Sequence, residues 1–165
     1  MNKLIIFIGH PAGGKTSTAH KLADILGGAE VIETDKVKQK ISGSIHARDN
    51  NERELWFKEI NNQIKTGVDN NKYTIIDEGF FSVVYLNKIL ADIKNINKTI
   101  IEITYSLDEH IKRDKKRGGT EPEAIVKMFN VWNKVPEDKK IKANIEIHNK
   151  NLSQDQIVKI IYKKL

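Results

Sequence analysis

The 165-residue chain contains no cysteine. That excludes a disulfide framework, a zinc–thiolate site and a thiol nucleophile, and it leaves the redox compartment unread. The chain also lacks any apolar run approaching the ~20 residues that span a bilayer. Its N-terminus enters a strand-like run at once, with no signal-peptide pattern. A cytoplasmic protein with no membrane partner is the expectation. No internal repeat, low-complexity segment or dividing linker interrupts the sequence, so one domain over 1–165 is expected, large enough to bury a core without staples. Positive charge is in excess, with a formal net charge of +6. This balance suits anionic ligands, either nucleotides or nucleic acid. The lysines are nevertheless spread along the whole chain, in the manner of a solvated surface.

The most informative stretch is Gly9-His10-Pro11-Ala12-Gly13-Gly14-Lys15-Thr16. A glycine, four residues and then Gly-Lys-Thr is the phosphate-binding loop pattern. Backbone N–H groups must converge on a phosphate, and glycines permit the close approach. Lys15 is expected on the β- and γ-phosphates and Thr16 as a Mg²⁺ ligand, with the following helix aiming its positive end at the anion. The nucleotide-holding set is therefore Gly9, His10, Pro11, Ala12, Gly13, Gly14, Lys15, Thr16 and Ser17. His10 occupies a variable position, where neutral packing competes with phosphate contact.

The flanks fit. Lys3–Ile8 is an apolar run suited to a strand buried on both faces. Ala19, Leu22, Ala23 and Leu26 recur at helical spacing until Gly27-Gly28. Further strands are predicted at Glu30–Glu33, Tyr73–Asp77, Thr99–Thr104 and, at an edge, Ile145–Ile147. Between them the pattern predicts a helix over Lys36–Ile41 after Thr34-Asp35, and another from Asn51 with Glu54 as its cap partner. That second helix carries Trp56, Ile60 and Ile64 on one face and meets a turn at 67–71. Ser82 caps a helix bearing Val83, Leu86, Leu90 and Ile93. A charged helix covers Asp108–Lys116. Thr120 with Glu123 opens one with Ile125, Val126, Phe129 and Trp132 on a face, and Ser153 with Gln156 caps the last. Strands alternating with helices give an α/β fold, three αβα layers around a five-stranded parallel sheet.

Ligands in such sheets bind beyond the carboxyl ends of the strands. Asp35 follows the second strand and is either a base for an acceptor hydroxyl or a helix cap. Asp77 ends the third, where it serves either the Mg²⁺ and Thr16 or a turn, with Glu78 taking that place if the strand is one residue longer. Arg113 and Arg117, four apart on the charged helix and followed by Gly118-Gly119, form either a closing lid or an ordinary exposed face. His46, Arg48 and Arg53 lie where an acceptor would dock. Trp56 and Trp132 sit at core spacing.

The run Gly9–Thr16, Asp35, Asp77 and the stretch Ile111 to Gly119 resemble the small phosphate-loop kinases of the AAA-type ATPase and kinase class. Within them, His110 to Trp132 is most similar to the kinase domain of polynucleotide 5′-hydroxyl kinases; residues 36–70 match poorly. The resemblance implies a P-loop nucleoside-triphosphatase fold with a helical lid at about 108–120. It also implies ATP and Mg²⁺, and γ-phosphoryl transfer to a hydroxyl of a small molecule, nucleoside derivative or polynucleotide 5′ end. Lys15, Asp35, Arg113 and Arg117 would carry catalysis, and Thr16 and Asp77 the metal. The alternative is an ATPase or a nucleotide-binding regulatory module with no acceptor. Asn133-Lys134-Val135-Pro136 lacks the aspartate that guanine reading needs.

Overall fold

The structure, a computed structural model, describes residues 2–79, 82–116, 118–119 and 122–165. Five strands, β1 (Lys3–Ile8), β2 (Glu30–Glu33), β3 (Tyr73–Asp77), β4 (Asn97–Thr104) and β5 (Ile145–His148), form one parallel sheet in the order β2-β3-β1-β4-β5. The helices among the described residues are α1 (Lys15–Ile25), α2 (Thr34–Ser42), α3 (Asn50–Asn70), α4 (Val83–Ile89), α5 (Leu107–Lys116), α6 (Pro122–Asn133) and α7 (Gln154–Lys164). Strand β1 lies in the middle, with Ile6 opposite Ile76 of β3 and Ile100 of β4. The chain leaves β1 toward one half of the sheet and later fills the other, which makes the end of β1 the topological switch point.

A strand covered on both faces must be apolar at every position, and Leu4 through Ile8 are all fully buried. Leu4, Ile6 and Ile8 face α2, α3 and α4 through Val37, Trp56, Ile60 and Leu86. Ile5 and Phe7 face α1 and α7 through Ala19, Leu22, Ile157 and Ile161. The three-layer αβα architecture expected from the sequence is the one observed. The last helix begins at a full capping box of Ser153 and Gln156. No helix among the described residues is long and apolar enough to cross a membrane.

Several boundaries differ from expectation: β4 begins at Asn97, two residues before Thr99, and α4 ends at Ile89, short of Leu90 and Ile93. Helix α2 starts at Thr34 with Glu33 as its N-cap residue, so Asp35 is in the first turn and is not the cap. Helix α3 is capped by Asp49, whose carboxylate accepts from the Glu52 N–H at 2.8 Å, in place of Asn51 with Glu54. It also continues through the turn expected at 67–71, because Asn71 closes it with both its backbone and side-chain N–H groups on the Gly67 carbonyl. Thr120, expected to cap α6, lies outside the described residues.

Gly67 also lets α3 lie close to the sheet. A Cβ there would fall 2.7 Å from Glu30 Oε2 and 2.8 Å from Thr74 Cγ2. The glutamate end can swing away, but Thr74 is fully buried. Alanine in a helix gains ~1 kcal/mol over glycine, whereas forcing a methyl into a packed site costs ~1–3 kcal/mol. Gly67→Ala is expected to lose about 1 kcal/mol net, seen in thermal unfolding as a Tm lower by about 2–4 °C. An unchanged or higher Tm would show that the helix and sheet have room to spare.

Candidate functional site

The chain leaves β1 through a turn that only a few residues can make. Gly9 has φ 131°, and a side chain on it would press within 2.9 Å of the Ile103 carbonyl on β4. Gly14 has φ 73° and stands as the N-cap residue of α1. Between them Ala12 takes φ 58°, a left-handed conformation that costs a non-glycine residue ~1–2 kcal/mol. The Gly13 N–H meets the His10 carbonyl at 3.3 Å, and Lys15 Nζ donates to the same oxygen at 3.0 Å. The loop thus curls at the N-terminus of α1, where free backbone N–H groups and the helix dipole favour an anion. A Cβ on Gly9 would press on the Ile103 carbonyl, and one on Gly13 would sit tightly against those of His10 and Ile103, so both glycines let the loop pack closely beside β4.

Across the mouth of this cup stands Asp77, at the end of β3. The Thr16 hydroxyl donates to its Oδ2 at 2.5 Å. Burial raises the Asp77 carboxyl above its ordinary pKa, against the pull of Lys15 and Thr16, and the nearby Glu78 and Asp35 carboxylates add to the rise. Among the described residues no group of three or more His, Cys, Asp or Glu side chains is arranged to hold a metal. Mg²⁺ needs no such cage: it takes one or two protein oxygens and completes its shell with phosphate oxygens and water. Thr16 and Asp77 fit an ion of that kind, brought in with a nucleotide.

Beside Asp77 lies a network in which sequence reasoning found one member, Asp35, and held Glu78 only as a stand-in for Asp77. Because β3 ends at Asp77, Glu78 turns the other way. Its carboxylate takes the Thr34 hydroxyl at 2.5 Å, the Gly79 N–H at 2.8 Å and Lys38 Nζ at 2.6 Å. The Lys38 ammonium also reaches Asp35 Oδ1 at 3.1 Å. Lys38 and Glu78 side chains are 7% and 6% exposed, while that of Asp35 is 67% exposed. Burial works against the Lys38 charge, but Glu78, Tyr85 and Asp35 outweigh it and raise its pKa. Burial pushes the Tyr85 phenol, hydrogen-bonded to Lys38, up to about 12, with Glu78 adding to it. A fixed buried cation therefore orients an exposed carboxylate on the same rim as Thr16 and Asp77. The spacing of Asp35 and Lys38, three apart on a helix, was the one signal available for this pair.

The other side of the cup is backed by α5 and α6. Arg113 Nε donates to the Ala12 carbonyl at 3.0 Å, and its guanidinium lies 4.4 Å over the Tyr105 ring. Its Nη2 is beside Gly14, 3.2 Å from where a Cβ would be. The Tyr105 hydroxyl accepts from Asn149 in the loop after β5, at 2.9 Å. His10 is buried, stacked on Phe129 of α6 at 4.2 Å and tilted against Trp132 at 4.7 Å. Trp56 packs in the core and donates to Ser42 Oγ. Arg117 lies outside the described residues. Arg48 is committed to Glu52 at 2.6 Å, Arg53 reaches Asn50 at 3.4 Å, and the His46 backbone N–H bonds Ser44 Oγ; none of these bonds is to a residue of the cup.

The fold recurs in solved kinases. A sugar kinase from Janibacter sp. HTCC2649 superposes with a TM-score of 0.69 at 16% identity, over 99% of this chain and 94% of that one. Shikimate kinase from Acinetobacter baumannii, solved with shikimate, gives 0.67 at 13%, over 99% and 93%. Mycobacterium tuberculosis APS kinase, solved with AMPPNP and APS, gives 0.69 at 14%, over 98% and 96%. At such identities the likeness establishes the fold, a P-loop kinase-like αβα architecture. No curated protein sequence matches the chain. The AAA domain profile matches residues 4–135, a span that takes in the cup, Asp35, Asp77 and the α5–α6 pair. The chain therefore belongs to the AAA domain family.

Proposed function

We propose that the chain is a kinase that uses ATP with Mg²⁺ and transfers the γ-phosphoryl group to a hydroxyl of a small molecule or nucleoside derivative. The observation that carries this reading is the shared rim: the Thr16–Asp77 pair at the mouth of the cup, with Asp35 linked through Lys38 to the residue beside Asp77. A bound Mg²⁺ would supply charge neutralisation between the β- and γ-phosphates. Thr16 and Asp77 would hold it, and the free backbone N–H groups of the Gly9–Ser17 loop, of which Pro11 has none, would cradle the phosphates. Lys15 would leave the His10 carbonyl to place its ammonium on the β- and γ-oxygens. Asp35 would accept the acceptor's hydroxyl proton as that oxygen bonds the γ-phosphorus and the bond to the β–γ bridging oxygen breaks. Arg113, at the Gly14 side of the mouth, would counter charge on the transferred group, a role shared in this proposal with Arg117.

The pairing of Arg48 with Glu52 takes a cation away from the segment that would meet a polyanion. The reading therefore puts a small hydroxyl compound or nucleoside ahead of a polynucleotide 5′ end. Incubation with γ-labelled ATP and a panel of sugars, polyols, nucleosides and oligonucleotide ends tests it. Label on a defined hydroxyl is the expected result; release to water alone would assign an ATPase, and no turnover a binding module.

Lys15→Ala is expected to abolish transfer. Asp35→Ala should lower kcat about 10²–10⁴-fold, the usual worth of a positioned base, with the KM for ATP nearly unchanged. Full turnover in this variant would remove Asp35 as the base.

Lys38→Met strands the buried Glu78 carboxylate. Breaking a buried pair from one side costs ~3–5 kcal/mol, which at ~2–4 °C per kcal/mol lowers Tm by about 6–20 °C. Adding Glu78→Leu should return most of the stability while turnover stays low, because Asp35 has lost the ammonium that fixes it. Recovered turnover in the double variant would confine Lys38 to a purely structural part.

A further inference from the structure

A loop that points its N–H groups into a cup turns carbonyls outward, and a buried carbonyl needs a donor. Two of these carbonyls find theirs about a hundred residues away, on α5. Arg113 serves Ala12, and His110 Nδ1 lies 2.9 Å from the Pro11 oxygen. A carbonyl only accepts, so Nδ1 carries the proton and, in the neutral ring, Nε2 is a bare lone pair. His110 is fully buried, and its Nε2 has no hydrogen-bond partner among the described residues; nor has Nδ1 of His10. The two rings meet edge to face at 5.2 Å. Resting on the reading of Gly9–Ser17 as a nucleotide cup, we propose that His110 is a positioning residue for that cup. It ties the Pro11 carbonyl to α5, and with His10 it forms a clasp that holds while both rings are neutral and releases on protonation.

The surroundings explain why a proton is unwelcome. Lys15 lies close at the start of α1 and Arg113 on α5, both cationic, with Glu109 and the buried Asp114 as acids flanking His110 on α5. Tyr105, after β4, presents its ring to His110 at 5.5 Å, and α6 presents the rings of Phe129 and Trp132 to His10. A charge gained here has little solvent to meet it, and the buried Asp114 carboxylate stands one turn further along α5 from His110. Burial first, then His110 and Lys15, lowers the His10 pKa from 6.5 to about 4. Burial likewise lowers that of His110, against the hydrogen bond to Pro11. The released state therefore binds a proton near pH 6.5, and the closed state resists it. The clasp is fully stable above about pH 6.5, and each unit below favours release by up to about tenfold per ring, down to pH 4 for His10.

Three proteins test this: the parent chain, His110→Asn and His110→Leu. Asparagine keeps an N–H near the Nδ1 position and cannot titrate; leucine leaves the Pro11 carbonyl without its donor. Dissociation constants for Mg·ATP are measured from pH 7.5 to 5.0. His110→Leu should bind about tenfold more weakly at pH 7.5, the worth of one unsatisfied buried carbonyl. His110→Asn should bind as the parent does at pH 7.5 and lose less affinity than the parent on acidification. Equal affinity in the leucine variant, or equal slopes in parent and asparagine variant, overturns the proposal.

A second measurement needs no nucleotide. With Trp56→Phe as background, Trp132 emission reports on the His10 ring 4.7 Å away. The emission should change between pH 7 and 4 in the parent background and stay flat when His10→Leu is added; a flat parent titration also overturns the clasp. If no protein binds nucleotide while the emission changes as expected, the nucleotide reading fails and the clasp stands. If the leucine variant does not fold by circular dichroism, the asparagine variant and the emission titration still separate a clasp from its absence.

Discussion

Amide groups cannot face inward along a turn without sending carbonyls the other way, and that geometric necessity governs the site. The loop after β1 leaves the sheet between two buried layers, so its outer side has little access to water. It needs donors from elsewhere in the chain. Arg113 and His110 of α5 provide them to Ala12 and Pro11, and the aromatic pair of α6 covers His10. The left-handed Ala12, the most strained non-glycine position of the loop, is held from outside by one of these bonds. In this arrangement the basic helix after β4 has a part in shaping the loop before it has any part in meeting a phosphate.

The opposite rim solves a different electrostatic problem. Asp35, Asp77 and Glu78 crowd one end of the sheet, and three carboxylates in a confined space repel one another. Two partners serve the three of them. Thr16 takes Asp77, while Lys38 lies between Glu78 and Asp35 and is itself kept charged by them. A buried ion pair is weak evidence for stability, since desolvation consumes much of the Coulombic gain. Its value here is directional. It sets Asp35 at the surface of the rim with one oxygen committed and one facing solvent chemistry.

What could be read from the residues follows from how local each determinant is. Strands β1 and β3 were legible to the residue because a run buried on both faces has no polar interruption. The capping box at Ser153 is equally self-contained. Asp49 was missed as the α3 cap because Asn51 offers the same chemistry two residues on. The end of α3 was missed because Gly67 looks like a turn residue until Thr74 and Glu30 are seen pressing on it. The cup and its facing acids were legible from spacing and strand ends. Lys38, His110, Tyr105 and Asn149 were not, because their roles depend on partners distant in sequence or on burial that no pattern announces. In the sequence, His110 is one polar residue on a charged helix.

The sheet order connects these two halves. Strands β2 and β3 carry the acid rim on one side of β1, while β4 and β5 lead to α5, Tyr105 and Asn149 on the other. The loop after β1 is in touch with both: Thr16 reaches across to Asp77, and Pro11 and Ala12 reach back to α5. A displacement of a few tenths of an ångström in this loop would alter both sets of bonds together.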